Sequence, residues 1–343
     1  MICKYGKSLS DIRSHKQNLF DDNQRLLEMQ ERYAEEYLKQ PKRCHCKICG
    51  DPFDNGTMYA SHGVEYVICS KCGHVSGMHE ETEYYSEYLY ANSDYGKISY
   101  VNGSSGDQYD KRMQDIYLPK AKFMVEVLEQ EGMSTDQIQV LDIGAGSGYF
   151  VSACDDIHIP CSGIDMSSEQ VDFGNKFLHR TAGGTLELIK ANEMEDYIKK
   201  SSANVVTAMG VMEHLIDCHR VFQAISENKN LRYLYMSVPT FGFSNILEML
   251  APKVYNRHLG GGHTHVFSLE SIQYLCDKYG MEMIAKWQFG TDMMDLYRIC
   301  ITQSTRQMGQ IIQDKLYQCL DEMQLVLDKH DFCSEIHCIL KLK

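Results

Sequence analysis

The chain predicts an α/β fold: a parallel sheet covered by helices on both faces, preceded by a small metal-stapled module. Three observations predict it. From residue 119 short continuous apolar runs alternate with helical segments, the pattern of strands buried on both faces. Ahead of them stand two C-x-x-C pairs, each followed by glycine. Finally, 343 residues, 43% apolar and 24% charged, suffice for one large globular domain and a small one.

Taken in order, residues 1–40 form an N-terminal segment in which 8–40 reads as a polar helix ended by Pro41. A cysteine module at 41–78 follows, then a connector at 79–118 rich in tyrosine. Its stretch 79–117 carries eight of the chain's 22 tyrosines, too polar for a core and too aromatic for an idle linker. The main domain, 119–343, opens with the amphipathic helix "AKFMVEVLEQEG". Its strands read as "QVLDIG" (139–144), "CSGIDM" (161–166), "LELIKA" (186–191), "NVVTAMG" (204–210) and "YLYMSVP" (233–239). Beyond an insertion, "SLESIQYLCDKYG", "MEMIAKWQF" and "SEIHCILKLK" add a helix and two strands, with a long helix expected at about 304–329.

The N-terminus "MICKYGKSLSDIRSHK" lacks the apolar core of a secretory signal, and no apolar run is long enough to span a membrane. Fourteen cysteines in such a chain imply reduced thiols and a cytoplasmic protein. A net charge of −13 with scattered lysines and arginines weighs against a nucleic-acid partner. Oligomerisation is left open.

Cys46 and Cys49 are followed by Gly50, and Cys69 and Cys72 by Gly73. Two residues between cysteines let both thiolates face one ion from a tight turn. The pairs together make a four-cysteine site of the structural Zn2+ type, with no open coordination position for substrate. Cys44, His45 and His74 are the substitutes should one ligand differ.

"VLDIGAGSGYF" (140–150) sends a strand into Gly144-x-Gly146-x-Gly148 and then a helix, so a ligand can touch backbone at a helix N-terminus. Tyr149 stands where a dinucleotide fingerprint needs glycine, and Asp165 lies 17 residues past Gly148, where an acid can hold a ribose. With "GIDMS", "KANEMED" and "VVTAMGVMEHL" following in order, the chain resembles the class I S-adenosylmethionine-dependent methyltransferase family over about 119–300 and the last strand. The resemblance implies a Rossmann-like, seven-stranded sheet with helices on both faces, behind the small N-terminal zinc-binding module. It also implies a cofactor site. Gly144, Ala145, Gly146 and Gly148 would flank the aminoacyl part, with Asp142 orienting the loop. Asp165 would hold the ribose, Met166 would pack on adenine and Asn192 would read its edge. Met209, at the end of the fourth motif's strand, would underlie the methionine portion, and Arg112 would pair with the cofactor carboxylate.

Methyl transfer needs alignment, plus a base where the nucleophile is a hydroxyl or an acidic carbon. The candidates are His214, His263 and Tyr109. His214 follows the fourth strand in a stretch similar to ubiquinone-type O-methyltransferases. Those carry a metal-binding glutamate three positions before the Glu-His pair. Gly210 stands there in this chain, which argues against a catalytic Mg2+. His263 occupies the place of a histidine that precedes "F-S/T" in many small-molecule methyltransferases. Plain packing or loop ordering is the alternative role for each. The module, the connector and "WQFGTDMMDLYR" (287–298) resemble bacterial methyltransferases of sugar and surface-polysaccharide pathways, implying a small-molecule or carbohydrate acceptor. The alternatives are a zinc-containing ribosomal RNA methyltransferase and a non-catalytic S-adenosylmethionine-binding regulator.

Overall fold

The computed structural model describes residues 1–9, 15, 22–90, 105–255, 258–260 and 263–343. Strands are numbered along the chain. The main sheet runs in the order β1 (Ile2–Tyr5), β11 (Met281–Gln288), β12 (Glu335–Leu342), β9 (Tyr233–Pro239), β8 (Val205–Met209), β5 (Val140–Ile143), β6 (Cys161–Asp165), β7 (Thr185–Leu188). β12 is antiparallel to both neighbours and every other pairing is parallel. β8 and β9 are buried almost throughout, so they read as unbroken apolar runs. One face is covered by helices Leu118–Gln130 and Tyr149–Asp156, through Phe123, Val127 and Phe150. The other is covered by Met194–Lys200, Cys218–Glu227 and Leu269–Tyr279, through Ile198, Phe222 and Leu275.

The sheet has eight strands where the resemblance implied seven. The added one is β1, in a stretch that the periodicity left without regular structure. It pairs with β11, and Lys4 Nζ lies 4.0 Å from the Trp287 ring centroid. The helix expected over 8–40 is Asn23–Tyr37 among the described residues. The one expected at 304–329 is broken by a short 3-10 turn, Tyr317–Cys319, between Arg306–Leu316 and Leu320–Lys329.

A second, antiparallel sheet runs β10 (His265–Val266), β4 (Val75–Gly77), β3 (Val64–Ile68), β2 (Thr57–Ser61). Its β2–β3 hairpin turns at His62 (φ 49°) and Gly63 (φ 81°), the two left-handed residues such a tight turn requires. Helices Asn23–Tyr37 and Glu83–Tyr90 pack on this sheet around Leu26, Tyr37, Tyr66 and Tyr85. Three of the sheet's strands belong to the cysteine module, while β10 comes from the loop after β9. Phe267, next along, bridges back to Thr240 at the end of the main sheet. The two sheets are therefore tied where the loop enters both.

Among the described residues no helix is long and apolar enough to cross a membrane.

Candidate functional site

The chain runs outward through β5, β6 and β7, then returns to β8 beside β5. At such a switch point the connections diverge and leave a crevice beyond the carboxyl ends of the strands. The glycine loop lies there. Gly144, Gly146 and Gly148 all have positive φ (62°, 54°, 70°), and a β-carbon on Gly144 would come 2.6 Å from Val211 Cγ2. Gly146 N–H donates to Asp165 Oδ2 at 2.7 Å and Ser167 N–H to Oδ1 at 2.8 Å, so Asp165 pins the loop from the end of β6. Ala145 N–H donates to the carbonyl of Ile164. Met166 (52% exposed) and Asn192 follow β6 and β7 on the open rim, and Met209, half-buried, ends β8. The sequence-predicted cofactor set thus gathers along one edge of the sheet.

Asp142 is buried under the loop and accepts a hydrogen bond from Thr207 Oγ1 at 2.5 Å. Burial pushes its carboxyl up to about 7, against the lowering effect of Thr207. Because the folded value exceeds the unfolded one, the native state binds the extra proton between roughly pH 4 and 7, and stability falls as pH rises through that window. Asp142→Asn is expected to flatten that fall by up to about 4 kcal/mol, read as the pH dependence of the urea midpoint.

Tyr109 and Arg112 come from helix Gly106–Arg112. The Tyr109 ring stacks on Tyr149 at 4.5 Å, which in turn stacks on Tyr117 at 5.3 Å, and the Arg112 guanidinium lies over Tyr149 at 5.4 Å. The Tyr109 hydroxyl donates to the carbonyl of Ser147 (3.1 Å) and meets Ser152 Oγ at 2.9 Å. Fully buried, with its hydroxyl pushed well above the usual tyrosine range by burial, Tyr109 braces the back of the glycine loop. Its hydroxyl is therefore engaged at the glycine loop. Tyr100, another tyrosine of that connector, lies outside the described residues.

His214 lies in the turn after β8 that abuts the glycine loop. Its ring faces His263 with centroids 4.8 Å apart, and His263 faces His258 at 6.0 Å. Burial, then the neighbouring His263, holds His214 well below the usual histidine range, so it is a neutral imidazole at physiological pH. His265 instead pairs with His74 at 3.1 Å inside the small sheet. His263 is carried to His214 by β10, since Tyr66 O–H donates to the His263 carbonyl and accepts from Gly260 N–H.

A cleft beside His214 is lined by Lys47, Glu81, Tyr85, Ser86, Leu89, Glu213 and Thr264 as well. Lys47, from the first cysteine knuckle, donates to the Leu215 carbonyl (2.9 Å) and Glu81 (3.1 Å). Arg43 pairs with Glu81 at 2.6 Å, and Thr264 donates to its other oxygen. Their charge holds buried Glu81 below the usual carboxylate range although burial opposes it. None of these residues was found from sequence, because what unites them is spatial approach across the two sheets. Lys120 was missed as well, since its neighbours come from distant parts of the main domain. It is buried on helix Leu118–Gln130 and is the cation acting on both Asp142 and Glu213.

The four module cysteines converge. Cys46–Cys72 and Cys49–Cys69 Sγ pairs are 3.6 Å apart, and all four sulfurs lie within 4.8 Å of one another. A tetrahedral ion with metal–sulfur bonds of about 2.3 Å needs sulfurs about 3.8 Å apart, so the set fits. Gly50 and Gly73 adopt the left-handed turns of the two knuckles (φ 71° and 64°). Cys44 is exposed and His74 is bound to His265, so neither substitutes in the cluster. The knuckles join the main core: Ser268 Oγ donates to the Cys72 carbonyl at 2.8 Å, and His219 Nε2 meets the Ile48 carbonyl at 2.8 Å.

No curated protein matches this sequence. Among solved structures, magnesium protoporphyrin IX methyltransferase from Synechocystis PCC 6803 with bound S-adenosylhomocysteine is similar at 12% identity, over 76% of this chain and 98% of that one, with a TM-score of 0.45. The plantazolicin methyltransferase BpumL, in complex with a monoazolic desmethylplantazolicin analog and S-adenosylhomocysteine, is 14% identical over 75% and 93%, at 0.46. A methyltransferase from Archaeoglobus fulgidus is 17% identical over 64% and 94%, at 0.37. The model of the methyltransferase domain matches residues 109–286, just over half of the 343. By that match, which spans the glycine loop and the strands around it, the chain belongs to the methyltransferase-domain family, and it is an S-adenosylmethionine-dependent methyltransferase.

Proposed function

We propose that the enzyme methylates a small polar acceptor, a sugar nucleotide, oligosaccharide or surface-polysaccharide precursor, in the cytoplasm. The observation that carries this reading is the cleft beside His214. Its donors and acceptors, Lys47, Glu81, Ser86 and Thr264, stand next to the aromatic wall of Tyr85, a lining suited to a hydroxyl-rich molecule. Gly144, Ala145, Gly146 and Gly148 would hold the aminoacyl part of S-adenosylmethionine, Asp165 its ribose, Met166 and Asn192 its adenine, Met209 its methionine portion and Arg112 its carboxylate. Bound there, the cofactor supplies an electrophilic methyl group. The acceptor's nucleophile is activated at His214 and His263 and aligned for in-line attack. Zn2+ fills the four-cysteine site and stiffens the module, a segment too small to be stable without it. The module, connector and main domain act as one unit, because the module walls the acceptor cleft.

The test uses S-adenosylmethionine labelled on its methyl group, offered with a nucleotide-sugar and oligosaccharide fraction or with total RNA. Label is expected in the sugar fraction. His263→Ala should lower that transfer at least roughly a hundredfold while cofactor affinity stays within a few-fold. Label in RNA would overturn the acceptor assignment.

A further inference from the structure

Glu213, His214 and His263 bring one carboxylate and two imidazoles together, and their ligand atoms lie within 4.8 Å of one another. Glu213 is 7% exposed, and its Oε2 is buried with no hydrogen-bond partner, while Oε1 stands 4.0 Å from His214 Nε2. A buried carboxylate oxygen without a donor is costly, and a cation placed among these groups would satisfy it. Gly210 leaves the ubiquinone-type ligand set incomplete in sequence. The third ligand instead comes from the far loop, brought in by the pairing of β10 with β4.

We propose that Glu213, His214 and His263 form a second metal site, separate from the four cysteines, that binds a divalent transition-metal ion at the mouth of the acceptor cleft. Two imidazoles and a carboxylate suit iron, manganese, cobalt or zinc better than Mg2+, which favours oxygen ligands and water. Three protein ligands leave coordination positions open, and the cleft lined by Glu213, His214, Lys47 and Glu81 lies beside them. Two like charges act here: Lys47, which lines the cleft and is neutralised by Glu81 at 3.1 Å, and Lys120, which acts on Glu213.

The inference rests on the reading of this cleft as the acceptor site and refines the task of the two histidines. A hydroxyl of the acceptor bound to the ion loses its proton to water. The resulting alkoxide oxygen bonds to the methyl carbon as the carbon–sulfur bond breaks, giving the methyl ether and S-adenosylhomocysteine.

The experiment titrates the full, zinc-loaded chain with Co2+ and records its absorption. Weak visible d–d bands without thiolate charge transfer are expected, because the ligands are nitrogen and oxygen. Glu213→Gln and His263→Ala should each weaken Co2+ binding by more than roughly a hundredfold, beyond what loss of an outer-shell partner causes. Calorimetric S-adenosylmethionine binding shows that each variant is folded, and the near-isosteric Glu213→Gln serves should His263→Ala fold poorly. Absence of the bands at excess Co2+, or bands that persist in both variants, would sink the site. Label transfer by metal-free protein to the sugar fraction would also remove it, while leaving the proposed function standing.

Discussion

Cys46→Ser is expected to strip the metal from the module and to cut methyl transfer by at least roughly a hundredfold, with a much smaller change in cofactor affinity. The asymmetry follows from where the pieces sit. The glycine loop and Asp165 belong to the main sheet, whereas Lys47, Glu81 and β4 belong to the module and its border. Structural zinc contributes on the order of 10–16 kcal/mol in small modules, far more than β2–β4 can bury for themselves. Once the knuckles open, Lys47 leaves the Leu215 carbonyl and Ser268 leaves the Cys72 carbonyl, so the wall of the cleft beside His214 and the start of helix Leu269–Tyr279 lose their anchors. Metal analysis reads the loss of the ion, label transfer the loss of activity and calorimetry with S-adenosylmethionine the cofactor affinity, while hydrogen exchange at Val64–Ile68 reads the opening of the module. Retained zinc in the variant would refute the ligand assignment. Full methyl transfer without zinc would show that the module does not shape the acceptor cleft.

Asp165→Ala is the second large effect. The carboxylate accepts backbone N–H groups from Gly146 and Ser167 and, in the proposed complex, both ribose hydroxyls. Hydrogen bonds to a charged group contribute about 1.5–3 kcal/mol each, so losing two at the ribose weakens binding about a hundredfold to ten-thousandfold. Release of Gly146 loosens the loop as well. Asp165→Asn keeps the shape and one acceptor, and should fall between the two. Dissociation constants from calorimetry decide it, and an Asp165→Ala value within threefold of the parent would remove Asp165 from the ribose role.

How much of this was legible in the sequence depends on how local the determinants are. β5, β6, β8 and β9 fall within a residue or so of their apolar runs, because central strands buried on both faces carry few polar residues to interrupt them. β1, "ICKY", and β2, "TMYAS", escaped notice. Each is a short edge strand that keeps residues towards solvent and earns its place by pairing. That the glycine loop meets Asp165 was legible because both sit at strand ends within one stretch of chain. The meeting of the two histidines was not. His214 and His263 could each be named, but their approach to 4.8 Å depends on β10 joining β4. That the Tyr109 hydroxyl turns to the Ser147 carbonyl was not legible either, since composition says nothing about which way a hydroxyl points.

β10 carries one more consequence, for the order in which the protein is made. All four cysteines leave the ribosome well before β10 does. The strand that closes their sheet arrives only with residues 265–266, after β9 of the main sheet. Until then β4 offers a bare edge to any extended chain nearby, and such edges recruit strangers. An ion taken up at that stage would load the nascent lobe long before it is shielded. A fragment cut at residue 118 would be left in that same half-made condition.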